Sequence, residues 1–382
     1  MSPGRPERAQ GHGRPSMGVP GGPAASASRP EAGPPERAEL PLGSARPLAE
    51  VYDTALLDLD GVVYLGRSAV PGAPEGLAAA RAAGMRLAFV TNNASRSPSA
   101  IAAQLASLGV PATSSDVVTS AQAAARLLAG RLPAGARVLV SGGIGLRIAL
   151  RERGLVPVST AAERPAAVVQ GYAPDLTYAL LAEAAIAVGR GAWFVAANAD
   201  RTLPTPRGPQ PGNGSLAGLI TAVSGTRPEV AGKPEPPLHA EAVARTGARR
   251  PLVVGDRLDT DIEGAVRAGA DSLLVLTGVS GPADVLLAPA GRRPRYLARD
   301  LSGLVQPHPG VIEAGDTFCC GQWVARVDGR SGRLDLAGSG DRVDGLRALA
   351  VAAWSVPGGV TEEMVRPALG VLRLDAPGHP SG

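Results

Sequence analysis

The chain carries one lysine, Lys233 in the segment AGKPEPP, and every other of its 38 basic side chains is an arginine. A compact ammonium on a flexible stem acts as a point donor, whereas a guanidinium is planar and forked, so the two are not interchangeable where an anion sits in a tight site. Acidic residues cluster in two further segments: Asp58 and Asp60 in LLDLDGVV, and Asp256 and Asp261 in VVGDRLDTDI. Asp58 and Asp60 are two apart, which in an extended segment sends both carboxylates to the same side. Carboxylates so close repel, and they need a cation between them or unequal protonation. Asp256 can complete an oxygen ligand set suited to Mg²⁺, which favours a few carboxylates together with water and phosphate oxygens. Asp261 is a candidate to orient the ion's waters or the lysine. A phosphate dianion entering this acidic group needs positive charge besides the ion, and Lys233 can supply it. The four asparagines repeat the pattern: Asn92 and Asn93 follow RLAFVT, Asn198 lies in AANAD and Asn213 in PGNGS.

These residues need a scaffold that brings distant segments to one place. TALLDLDGVV, RLAFVTNN, RPLVVGDR and DSLLVLTG read as buried strands, because all-apolar runs belong to parallel strands covered on both faces. Between them APEGLAAARAAG, SPSAIAAQLASLG and DIEGAVRAGA have helical character, several closed by glycine. Alternating strands and helices predict an α/β fold with a doubly wound parallel sheet. In such a sheet ligands bind beyond the carboxyl ends of the strands, where Asp58, Asp60, Thr91, Asn92 and Asp256 all fall.

A second α/β set, from ARVLVSGG to AWFVAAN, interrupts the first and predicts an inserted cap over 131–213, leaving a discontinuous core of 47–130 and 214–304. Residues 305–382 break the rhythm and predict a small α+β appendage of unknown role. Residues 1–46 are rich in Pro, Gly, Ala, Arg and Ser without apolar periodicity, which predicts a disordered leader. Met17 lies within it, so Met1 and Met17 are alternative starts.

Composition excludes several classes. Hydrophobic content of 45% and a net charge of +4 describe a soluble globular chain. Basic residues form no block and aromatics are few, so nucleic acid is not indicated as a partner. With no secretory apolar segment and no long apolar run, neither export nor membrane insertion is expected, and the location expected is cytoplasmic. The adjacent Cys319 and Cys320 match no zinc spacing. AGKP lacks the upstream glycine and the Ser/Thr of a phosphate-binding P-loop, and SGGIGLR lacks the third glycine of a dinucleotide fingerprint. The four histidines form no ligand cluster, and His239 is placed on a helix surface. Taken singly, DxDG is an ordinary turn, Thr91 a helix cap and Asp261 a helix-start carboxylate. Their joint order is what argues for a site.

With DLDGVVY, FVTNNAS, AGKPEPP and GDRLDTDI in this order, residues 50 to 300 closely resemble the haloacid dehalogenase superfamily of phosphatases. The match is to the class IIA branch of nitrophenylphosphatase-like, phosphoglycolate and glycerol-3-phosphate phosphatases. The resemblance implies that Asp58 is the nucleophile forming an aspartyl-phosphate and that Asp60 is the general acid and base. It implies that Thr91, Asn92 and Lys233 bind phosphate. Asp58, Asp256 and the main-chain carbonyl of Asp60 would hold Mg²⁺. The cap would choose the leaving group, with Asn198 and Asp200 its contact residues. The substrate expected is a small phosphorylated metabolite, glycerol 3-phosphate first and 2-phosphoglycolate next. Nucleotide monophosphates, sugar phosphates and pyridoxal phosphate are alternatives, as are a phosphotransferase and a non-catalytic phosphate-binding module. Asp60 argues against the last, which has no use for an acid two residues past the nucleophile. A homodimer is a further expectation, with the appendage as a candidate contact.

Overall fold

The computed structural model describes residues 43–374 apart from Pro204 and Pro206. Of the expected leader, only residues 43–46 fall within this range, as does neither alternative start. Within residues 43–46, Ser44 exchanges main-chain hydrogen bonds with His308 at 2.7 and 2.8 Å.

The chain first lays down β1 (Thr54–Leu57), β2 (Arg86–Thr91) and β3 (Val117–Thr119). It then builds a cap from β4 (Arg137–Ser141), β5 (Val156–Val158), β6 (Ala167–Gln170), β7 (Trp193–Ala196) and β8 (Glu229–Val230). Back in the core come β9 (Pro251–Gly255), β10 (Asp271–Val275) and β11 (Tyr296–Ala298). The core sheet has the order β11-β10-β9-β1-β2-β3, with every pair parallel. Alternate residues go to opposite faces. Leu57, Phe89 and Val254 join one apolar cluster, and Leu56, Ala88, Val90 and Val253 join the other. Burial on both faces is why these strands read as continuous apolar runs. Because β1 lies between β9 and β2, the topology reverses direction at the strand that leads into Asp58.

Helix starts follow local chemistry. Ser97 accepts the N–H of Ala100 at 3.2 Å ahead of Pro98–Ser107, with Pro98 at the first position, where a missing N–H costs nothing. Thr119 and Gln122 cap Ser120–Ala129 reciprocally.

The cap sheet, β8-β7-β6-β4-β5, is also parallel throughout. It corrects the expected boundary. The helix Asn213–Ser224 sends Ala217 and Ile220 into the cap's own cluster with Leu139, Val168 and Phe194, and β8 pairs with β7. The cap therefore runs to about residue 230. PTPRGPQPGNGS has the composition of a linker, and the two-residue β8 is too short to show a period.

The appendage is α+β, as expected: an antiparallel sheet of β12 (Ile312–Ala314), β13 (Thr317–Cys320), β14 (Trp323–Val327) and β15 (Leu334–Gly338), followed by helices Arg342–Ser355 and Glu362–Leu372. The first of these helices is buried almost throughout. Its apolar cluster is shared with Leu274 and Leu297 of the core sheet. Among the described residues, no helix is long and apolar enough to cross a membrane.

Candidate active site

Three adjacent strands deliver the site. Asp58 directly follows β1, Asp256 directly follows β9 and Thr91 closes β2, so the parallel register alone places these side chains along one edge of the sheet. Asp261 arrives from the turn of helix Leu258–Ile262 that follows β9, and Lys233 from the loop before helix Pro236–Thr246. Lys233 Nζ lies 2.5 Å from Asp58 Oδ1 and 2.7 Å from Asp261 Oδ1, and it donates to the main-chain oxygen of Val90 at 3.3 Å. The lysine, Asp256 and Asp261 are all buried, while Asp58 is partly open.

Oxygen atoms of Asp58, Asp256 and Asp261 lie within 4.8 Å of one another. Three carboxylates face one ammonium, so the cluster is short of positive charge. Burial, against the pull of Lys233 and with repulsion from Asp261 and Asp256, holds Asp58 well above the usual carboxylate range. Burial and then Asp261 push Asp256 up to about 7. Burial alone would lower Lys233, but Asp261 and Asp58 override it and raise it, so the ammonium stays charged. Asp256 Oδ2 accepts from Val279 N at 2.7 Å, and its Oδ1 is buried without a hydrogen-bond partner among the described residues. An orphaned carboxylate oxygen among three converging acids is the donor set a hard divalent cation takes, so the residues fit Mg²⁺.

Asp60 keeps contact with solvent, yet the protein around it raises its carboxyl, opposed by Lys233 and Arg96. Gly61 follows in the left-handed region (φ 83°), and a Cβ there would lie 2.4 Å from Asp256 Oδ2. Only glycine lets the turn after Asp60 pass so close to the second acid. Thr91 is buried, and its hydroxyl accepts from Asn93 N at 3.1 Å, which leaves its proton to donate.

The Asn92 side chain is engaged within the protein. Its amide nitrogen donates to the Lys233 carbonyl at 3.2 Å and to the Asp200 carboxylate at 3.3 Å, and its Oδ1 accepts from Lys233 N at 2.8 Å. Both amide protons are thus engaged within the protein, and the main-chain N–H of Asn92 is not part of these side-chain bonds. Asn93 closes its own loop by accepting from Ser95 and Arg96. Asn198 and Asp200 do reach the core from the cap. Asn198 Nδ2 donates to Asn92 O at 2.7 Å, and Asp200 is raised by burial against its bond from Asn92.

Two residues gain importance. Arg257 grips Asp259 with two nitrogens at 3.0 and 2.9 Å, within the electrostatic reach of Asp200 and Asp261. Its place in GDRLDTDI was the available signal. His239 is the correction: it is 2% exposed and buried behind Lys233, not on a helix surface, and burial followed by the lysine charge pushes it down to about 4. In PPLHAEAV the histidine stands between Leu238 and Ala240 with Glu241 two residues on, a local pattern that does not fix its face, and only the tertiary packing shows that it is covered.

A cluster of three acids with a fourth two residues past Asp58, a buried lysine and a cradle that fits a divalent cation, on a core sheet with an inserted α/β cap, define a metal-dependent phosphatase of the two-domain α/β class. Comparison with known proteins bears this out. Residues 55–156 match the haloacid dehalogenase-like hydrolase model, residues 230–304 a HAD-hydrolase-like model, and residues 320–373 a GCN5-related N-acetyltransferase like domain. The chain is 48% identical over 319 residues to D-glycerol 3-phosphate phosphatase of Mycobacterium tuberculosis, covering 80% of this chain and 87% of that one. It is 38% identical to 5'-nucleotidase YutF of Bacillus subtilis, over 60% of this chain and 90% of the other. The crystal structure of glycerol phosphate phosphatase Rv1692 from M. tuberculosis in complex with magnesium aligns with a TM-score of 0.77 at 45% identity, covering 86% of this chain and 99% of that one. A 4-nitrophenylphosphatase from Thermotoga maritima aligns at 0.63 with 31% identity, over 68% and 98%. The chain belongs to the haloacid dehalogenase-like hydrolases, in their class IIA branch.

Proposed function

We propose that the protein hydrolyses glycerol 3-phosphate through a phosphorylated Asp58. The observation that carries this is the lysine-bridged acid cluster beside Asp60, in a chain 48% identical to a phosphatase of that ester. Asp58 attacks phosphorus in line, forming an Oδ–P bond as the bond to the leaving oxygen breaks. Asp60 gives its proton to the departing alkoxide, and its raised carboxyl suits an acid working near neutral pH. As a carboxylate it then takes a proton from the water that attacks the aspartyl-phosphate, which frees orthophosphate and restores Asp58. Lys233 offsets the charge of the phosphoryl oxygens, with the Thr91 hydroxyl and the Asn92 main-chain N–H as further donors. Asp58, Asp256 and the Asp60 carbonyl would hold Mg²⁺, oriented by Asp261; when bound, the ion neutralises phosphoryl charge and favours in-line displacement. Asp200 accepts hydrogen bonds from the hydroxyls of the leaving group.

The test is orthophosphate release across glycerol 3-phosphate, 2-phosphoglycolate, nucleoside monophosphates, sugar phosphates and pyridoxal phosphate, with and without Mg²⁺. Glycerol 3-phosphate is expected to lead in kcat/KM by at least about tenfold, the scale on which a few hydrogen bonds discriminate. A lead for a nucleotide or for 2-phosphoglycolate overturns the choice of leaving group. Transfer to an added alcohol in place of release would mark a phosphotransferase.

A further inference from the structure

Lys233 stands at a crossing between domains. It follows β8, the last strand of the cap sheet, and precedes the core helix Pro236–Thr246, so the chain changes domain at the lysine assigned to phosphate. A shift of the cap would carry the lysine with it unless its backbone were fixed to the core. Asn92 makes that fixation, since one planar amide meets both main-chain groups of Lys233, the N–H at 2.8 Å and the carbonyl at 3.2 Å.

The clasp is itself held in place. The main-chain oxygen of Asn92 accepts from Ser120 Oγ at 2.6 Å on the core side and from Asn198 Nδ2 at 2.7 Å on the cap side. The main-chain oxygen of Asn198 accepts in turn from Asn213 Nδ2 at 2.7 Å, and Asn213 opens the cap helix Asn213–Ser224. Asn198 and Asn213 are 6% and 2% exposed, so water cannot readily replace these bonds. Gly232 shows how tight the junction is, because a Cβ there would lie 2.5 Å from Asn92 Oδ1 and 2.6 Å from the main-chain oxygen of Ala197. Cap strand exit, clasp and lysine meet within one van der Waals layer.

We propose that Asn213 and Asn198 are positioning residues for Lys233. They act through Asn92 as a three-asparagine relay that seats the ammonium against the core and couples that seat to the cap. None of the bonds of Asn213 involves the reacting atoms, and its effect reaches the phosphate only through the lysine. The inference rests on Lys233 as the phosphate-holding group, which belongs to the function proposed above.

The test uses the full chain with p-nitrophenyl phosphate, which makes it independent of the natural leaving group. Asn213→Ala is expected to lower kcat/KM and to raise the inhibition constant of inorganic phosphate, each by about tenfold, a small misplacement of a charged group being enough. The Mg²⁺ half-saturation, set by carboxylates outside the relay, is expected to hold within about twofold, which a general loosening of the site would not allow. The double variant Asn92→Ala/Asn213→Ala is expected to lose no more than Asn92→Ala alone. Additive losses, or an unchanged phosphate inhibition constant in folded Asn213→Ala, overturn the relay. If Asn213→Ala does not fold, the same cycle on Asn198→Ala decides by the same criteria. Hydrolysis with additive losses rejects only the relay, whereas no hydrolysis of p-nitrophenyl phosphate by the wild type rejects the reading of the site and the relay with it.

Discussion

The acids and the lysine are balanced against one another at short range. Lys233 is buried between Asp58 and Asp261 at 2.5 and 2.7 Å. Lys233→Arg keeps the charge but forces a planar fork into that space, and kcat/KM measured by phosphate release is expected to fall at least about a hundredfold. Asp58→Asn removes the proposed nucleophile and is expected to abolish release. Asp60→Asn separates the two half-reactions. It leaves the nucleophile intact, so p-nitrophenol, a good leaving group, should still depart once, and the phosphorylated enzyme should accumulate for want of a base. Intact-mass measurement after brief exposure to p-nitrophenyl phosphate checks this through the added phosphoryl group. Steady turnover in Asp60→Asn would remove Asp60 from its role.

The elements decide how firmly the acids converge. The loop after β10 holds Asp256 from above: Val279 N donates to its Oδ2 at 2.7 Å, Ser280 N to its main-chain oxygen at 3.0 Å, and Thr277 Oγ1 ties the same loop to the carbonyl of Gly61 at 2.6 Å. Gly278 packs so closely that a Cβ would fall 1.9 Å from Asp256 Oδ2. Gly278→Ala must therefore push the carboxylate or the loop aside. Mg²⁺ half-saturation is expected to rise at least about tenfold, in the range that second-layer changes at metal sites produce, with the far-ultraviolet circular dichroism spectrum unchanged. An unaltered Mg²⁺ titration would show that the loop does not set the acid's position.

On the scale of the whole molecule, a buried polar seam fastens the appendage to the core. Arg347 donates to the main-chain oxygen of Leu297 at 2.6 Å, pairs with Asp344 and lies 3.3 Å from His308 Nδ1, while His308 Nε2 is 2.8 Å from the oxygen of Gly303. Arg347→Ala would leave Asp344 and the Leu297 carbonyl without this partner, and a loss of about 3 kcal/mol is expected for breaking such a buried pair, read as a lower urea midpoint. Burial and the Arg347 charge lower the His308 imidazole despite the bond to Gly303. The unfolded chain then takes up the proton first as pH falls below about 6.5, so the stability due to neutral His308 is full above that value and is lost as pH falls through the depressed folded value. Urea midpoints between pH 7.5 and 5 should therefore fall less steeply in His308→Leu than in the wild type, and equal slopes would exclude His308 from the seam's acid sensitivity.

The sequence by itself determined the strands, their carboxyl-end acids and the unusual lysine, because apolar runs bounded by Asp and Gly are local signals and a parallel sheet converts them into one edge. It could not determine that the cap extends through the helix Asn213–Ser224 to β8, since a two-residue strand has no period to read. It placed His239 on a surface because what packs against its ring, Gly264 among it, comes from a segment outside its own helix. Asn92 shows the same limit from the other side: its type and place at the end of β2 were legible, but its partners, the main chain of Lys233 and the carboxylate of Asp200, lie 141 and 108 residues away. Which of its donors remain for a ligand is settled only when the folded backbone brings competing acceptors within hydrogen-bond range.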